Sequence, residues 1–213
     1  MENIVAGLEL FQKGGLVMYV LLLCSLFVMV IGVERFQYFR RMDSGRGFAR
    51  EFFALMRNED YAGAMKLARE SSGNMAEIIM RAVERAADGQ DVSSFMEIQS
   101  GVALAHFKRR LYYLNVIVTM APLLGLLGTI SGMISAFSVF NVQSAQAAAI
   151  TGGVGEALIA TAFGLCVAIM ALAIHAFFVQ WVENIITDME QVFSLVETKQ
   201  AELTKAGAAY AFA

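Results

Sequence analysis

From Leu111 to Val182 the chain carries no Lys, Arg or Asp, and its single acidic residue there is Glu156. No aqueous surface of that length goes uncharged, so the stretch has to be covered by hydrocarbon or by protein. It divides at Asn141–Gly153, where Asn, Gln, Ser, Thr and Gly gather. An apolar run remains on each side, and each exceeds the roughly 20 residues that cross a bilayer core. Two membrane helices are predicted, 111–141 and 153–182, joined by a short loop over 142–152. Composition agrees: only 16% of the 213 residues are charged, against about 25% in soluble domains.

Gly14–Val33 supplies another uncharged run, GGLVMYVLLLCSLFVMVIGV, bounded by Lys13 and Glu34. It lacks the basic start and small-residue cleavage site of a signal peptide, and reads as an uncleaved first span over 14–34. Arg35, Arg40 and Arg41 close it, with Phe36, Tyr38 and Phe39 as interfacial aromatics.

Residues 35–110 read as an aqueous helical region. Asp60 is placed to cap a helix bearing Ala64, Leu67 and Ala68 at helical spacing. After Ser71-Ser72-Gly73-Asn74, the positions Ile78, Ile79, Ala82, Val83 and Ala86 share a second face, which Gly89 ends. Asp91 caps a third helix, and no stop signal appears from Val92 to Pro122, so this helix is expected to run unbroken into the second span. Thirteen of the sixteen Lys and Arg residues lie between Arg35 and Arg110, whereas 142–152 has no charge. The positive-inside rule therefore puts 35–110 in the cytoplasm, the tail 1–13 and the loop 142–152 on the periplasmic side, and 183–213 back in the cytoplasm. Ile186, Met189, Val192, Phe193 and Val196 extend a helical stripe into that last segment, suited to packing on neighbouring chains. The terminal GAAYAFA has no periodicity and reads as disordered. The fold class is an all-α membrane protein with three transmembrane helices, long helices extending into the cytoplasm and a helical cytoplasmic loop.

The same counts narrow function. The basic residues are interspersed with eleven acids from Glu34 to Glu97, which leaves no nucleic-acid patch. Cys24 and Cys166 sit singly in apolar runs and read as packing residues. No nucleophile, metal cluster or phosphate loop points to an enzyme, a metal or a bound cofactor.

The two long spans carry the constellation of interest. In APLLGLLGTISGMISAF (121–137), Gly125, Gly128 and Gly132 recur at spacings of three and four, so backbones can approach closely along one face. Pro122 frees a carbonyl one turn earlier, a point for a kink or for water, and Thr129 adds a hydroxyl. In GEALIATAFGLCVAIMALAIH (155–175, His175 last), Ala157, Ala160, Gly164, Ala168 and Ala171 form a second small-residue stripe. Glu156 and Thr161 lie about 140° apart around the helix, so they flank a pore or junction rather than share a narrow stripe. An acid within a span costs about 2.5–3.5 kcal/mol on insertion scales and marks function by default. A dry pocket favours the neutral acid and water favours the carboxylate; a group with both states is the minimum part of a proton relay. The bland alternatives are a Glu156 solvated at the outer interface, threonines bonded back to their own helices, and a packing role for His175.

GVERFQYF at the end of the first span, APLLGLLGTISGMISAF and GEALIATAFGL together resemble the MotA/TolQ/ExbB proton-channel family, its ExbB/TolQ branch above all. The likeness runs over nearly the whole chain. It implies a homo-oligomeric ring, in the family a pentamer, in the bacterial inner membrane. The ring surrounds an ExbD/TolR-like single-span partner with a membrane Asp and acts through it on a TonB/TolA-like periplasm-spanning protein. Protons are the coupling ion, and the carried-over pathway positions are Glu156, Thr129 and Thr161. Proton flow of one charge through 100 mV yields about 2.3 kcal/mol. One departure stands out: Met170 occupies a position where family members commonly have proline. A flagellar or gliding-type stator and a non-conducting scaffold are the competing readings.

Overall fold

The computed structural model describes residues 15–140 and 146–211, with side chains over 15–137 and 152–206. The predicted tail 1–13 lies outside them. Eight helices are described: α1 (Gly15–Met42), α2 (Gly45–Arg57), α3 (Tyr61–Glu70), α4 (Asn74–Ala87), α5 (Val92–Lys108), α6 (Leu111–Phe140), α7 (Gln146–Thr198) and α8 (Gln200–Ala211). No strand occurs among the described residues. Three candidate membrane spans fall in Gly15–Arg57, Val92–Phe137 and Gly152–Thr198. Two compact units form, the described part of Met1–Val33 with Arg110–Phe177, and Glu34–Arg109 with Phe178–Ala213.

The first unit inverts a soluble fold. Leu16, Leu23, Val30, Leu123, Ile134, Leu158 and Ile169 are all more than half exposed. Its spans therefore present apolar side chains outward, the arrangement that hydrocarbon or apolar protein neighbours stabilise and water does not. Inside, α1 meets α6 through an edge-on pair of Phe27 and Tyr113, 6.3 Å between ring centroids, and approaches α7 where Gly32 packs on Ile174.

The second unit is built like a soluble helical domain, and its local signals behave as sequence logic expects. Asp60 accepts from Gly63 N at 2.8 Å to start α3. Asp91 accepts from Ser93 N and Ser94 N to start α5. Gly73 (φ 113) precedes α4, and a Cβ there would fall 2.6 Å from Ser44 N, so the turn admits only glycine. Ser44 Oγ in turn accepts from Ala76 N. The buried faces are Ala64, Met65 and Ala68 on α3, and Met75, Ala76, Ile78, Ile79, Ala82 and Val83 on α4. Leu67 and Ala86 are only half-buried, and Met65 joins Ala64 and Ala68 on the buried face of α3.

Four expectations change. The helix from Val92 does not run unbroken into the second span: it ends at Lys108, and Arg110 takes φ 71 before α6 begins at Leu111. The cause is Arg35, 4% exposed. Its guanidinium donates to His106 O at 3.2 Å and Arg109 O at 3.0 Å, satisfying carbonyls a helix end leaves open, while Glu34 balances its charge at 2.6 Å. The stripe on the C-terminal helix is filled by the same chain: Ile185 (not Ile186), Met189, Val192, Phe193, Val196 and Leu203 are buried, and α8 packs on α3 and α4. The backbone of the terminal segment is helical to Ala211. Helical backbone also begins at Gln146, inside the expected 142–152 loop; residues 141–145 lie outside the described set.

An aromatic cluster and one polar tie complete the second unit. Phe39 is fully buried and contacts Phe107, Phe178 and Trp181 at centroid distances of 5.0, 5.2 and 5.2 Å. Trp181 Nε1 donates to Asp43 Oδ2 at 2.7 Å, and Asp43 Oδ1 accepts from Gly45 N at 2.9 Å. Two turns along α7 from Trp181, Asp188 faces Arg46. Burial pushes the Asp188 carboxyl above its usual range, and nearby Asp43 adds to this. Arg46 and Arg50 act in the opposite sense.

Candidate functional site

The seam between α6 and α7 is made of residues too small to keep the backbones apart. A Cβ on Gly125 would lie 3.1 Å from Ala160 O and Thr161 Cα, and one on Gly128 would lie 2.5 Å from Ala160 Cβ. At Gly132 the nearest atom is Gly153 O, 2.9 Å away; at Gly164 it is Ala121 O, 2.6 Å away. Ala157, Ala160, Ala168 and Ala171 are buried along the same side of α7. The glycines of one helix thus receive the alanines of the other, and dispersion between close backbones replaces side-chain interdigitation.

Pro122 sits half-buried within α6, which remains helical on both sides of it. Having no N–H, it leaves the Val118 carbonyl without its helical donor. Thr161 stands beside this segment and donates its hydroxyl to Gly125 O at 3.2 Å, bridging α7 to α6. Thr129 turns its hydroxyl back to Leu126 O at 2.7 Å in its own helix. Both threonine protons are thus directed at backbone carbonyls and not at the Glu156 carboxylate. α7 passes through Met170 as continuous helix, as expected where no proline interrupts the backbone ladder.

Glu156 is half-buried near the start of α7's described side chains. Its Oε1 lies against the backbone of Gly15, the first residue of α1, so closely that a Cβ on Gly15 would collide with it. Gly15 has φ 67. Sequence reasoning missed this partner; the only signal was the Gly14-Gly15 pair opening the first apolar run. The structure therefore brings Glu156 to α1 and Thr161 to α6, and leaves Thr129 bonded within its own helix. His175 is half-buried two turns beyond Ala168.

Three long apolar helices with outward-facing leucines and isoleucines define a polytopic α-helical membrane protein. Residues 69–191 match the sequence profile of the MotA/TolQ/ExbB proton channel family. The match covers more than half of the chain, including Thr129, Glu156 and Thr161, and the chain belongs to that family. It is 27% identical over 189 residues to a Methanothermobacter thermautotrophicus protein named a biopolymer transport ExbB homolog, covering 87% of this chain and 67% of that one. It is also 32% identical over 168 residues to a Synechocystis protein named biopolymer transport ExbB-like 3, covering 76% of this chain and 79% of that one.

Proposed function

We propose that this chain is the ring-forming subunit of a proton-driven membrane motor of the ExbB/TolQ type, with Glu156 as its proton-exchanging group. The observation that carries the reading is the single acid of the second and third spans, half-buried at a helix seam in a chain of the proton-channel family. The exposed apolar faces of α1, α6 and α7 supply the surface that a homo-oligomer, in the family a pentamer, would bury.

In this reading the ring encloses an ExbD/TolR-like single-span protein whose membrane Asp exchanges protons with Glu156. The motion is passed to a TonB/TolA-like protein across the periplasm, from the bacterial inner membrane, with Glu34–Arg109 on the cytoplasmic side. Glu156 is assigned the proton because it is the one acid from Leu111 to Val182. Thr161 holds α7 against α6 beside it, and Thr129 stays on its own helix until water or a partner competes for its hydroxyl. The threonine bonds also favour a second reading, a non-conducting scaffold in which Glu156 only pairs with a partner.

Glu156→Gln separates the two, since the amide keeps size and hydrogen bonding but cannot exchange a proton. With the partner subunit co-expressed and co-purifying, loss of proton-dependent activity by the variant supports the motor; retained activity supports the scaffold. Failure of a short, single-span, Asp-bearing protein to co-purify would count against both.

A further inference from the structure

Gly15 and Glu156 are 141 positions apart in the chain, yet the carboxylate occupies the volume in which any side chain at position 15 would begin. The nearest three atoms to a Cβ at Gly15 all belong to Glu156, namely Oε1, Cδ and Cγ. Elsewhere along α7 the small residues meet α6; at Glu156 the neighbour is α1. The first span does more than anchor the chain, because its opening residue sets where the acid can point.

We propose that Gly15 is the positioning residue of Glu156: the absence of a side chain at the start of α1 leaves the space that holds the carboxylate in one rotamer. This deepens the reading of Glu156 as the proton-exchanging group and rests on it for its functional meaning, but the contact is testable without any proton flux. A Cβ at position 15 takes the space that Oε1 fills, so the carboxylate has to leave α1's first turn for another staggered well and becomes more accessible. Shortening the acid by one methylene withdraws its oxygens and makes room.

The test is the rate at which a hydrophobic carbodiimide modifies the carboxyl at position 156, read by mass spectrometry on the full chain in membranes. Gly15→Ala should raise the rate about two- to tenfold, the range that a change of rotamer well corresponds to. Glu156→Asp combined with Gly15→Ala should label at the rate of Glu156→Asp alone, because the collision is gone. The positive φ of Gly15 provides the rival cause, and the double variant removes the ambiguity: backbone strain would persist whatever the length of the acid. An unchanged or lowered rate in Gly15→Ala overturns the proposal. So does a changed rate that Glu156→Asp leaves uncorrected. If Gly15→Ala fails to fold, Gly15→Asn, which tolerates left-handed backbone, takes its place under the same two criteria. The raised rate in Gly15→Ala and its correction by Glu156→Asp, found beside full activity of Glu156→Gln, would overturn the motor reading and leave this one standing.

Discussion

Arg35 reaches across seventy-four positions to donate to the carbonyl of Arg109 at 3.0 Å. One cation thereby binds the backbone carbonyl of another basic residue. The arrangement works because the last turn of α5 concentrates negative carbonyl ends there, and Glu34 neutralises the guanidinium from the other side.

Removing that guanidinium leaves the carbonyls of His106 and Arg109 without this donor. Arg35→Ala is expected to destabilise the protein by about 1–3 kcal/mol, the cost of acceptors left without a donor, because Glu34 at 36% exposure is largely screened by solvent. Arg35→Lys should recover little, since an ammonium lacks the fork that serves carboxylate and carbonyls together. Thermal unfolding of the purified chain in detergent reads both.

Trp181→Phe keeps a ring against Phe39 but deletes the donor to Asp43. A bond to a charged acceptor contributes about 1.5–3 kcal/mol, and the loss should appear in the unfolding midpoint. Adding Asp43→Asn should cost much less in this background than in the parent, because the coupled partner is already absent.

Gly164→Val should separate α6 from α7, since its Cβ would lie 2.6 Å from Ala121 O and 3.0 Å from Gly125 Cα. Overpacking typically costs about 1–3 kcal/mol. Disulfide trapping between cysteines introduced on α6 and α7 should fall accordingly.

Thr161→Val tests whether the seam hydroxyl matters for folding or for function. Interhelical bonds of this kind average about 0.6 kcal/mol, so stability should barely move. A large loss of proton-dependent activity in a stably folded variant would then belong to the hydroxyl's chemistry. Equal activity would assign Thr161 to packing.

Asp188 gives a pH dependence with a defined sign. Burial raises its carboxyl above the unfolded value, so the folded state binds the proton more tightly. This contribution favours folding at pH below the unfolded value and fades as pH rises through the folded one. At neutral pH Asp188→Asn should therefore melt at or above the parent temperature, and the difference should shrink on acidification into the carboxylate range.

Much of the fold was legible because local chemistry decides it. The charge-free runs gave the spans, Asp60 and Asp91 gave the helix starts, and Gly73 and Gly89 gave the turns, each through its own backbone or nearest neighbours. The small residues of the second and third spans were legible as close-packing faces for the same reason. The helix break at Arg109–Arg110 was not, since its cause is Arg35, far away in sequence and indistinguishable there from any interfacial arginine. Likewise the stripe on α7 announced a buried face, but not that it is buried within its own chain.

The sequence by itself determined that this chain carries membrane-spanning helices with one acid held between small residues, because hydrophobic run length and the cost of burying charge are properties of residues in order. Only the tertiary structure decided which backbone lies against that acid, where each threonine sends its proton, and what ends α5. Those depend on contacts between residues far apart in the chain, and side-chain identity alone does not say which partners folding will bring within reach.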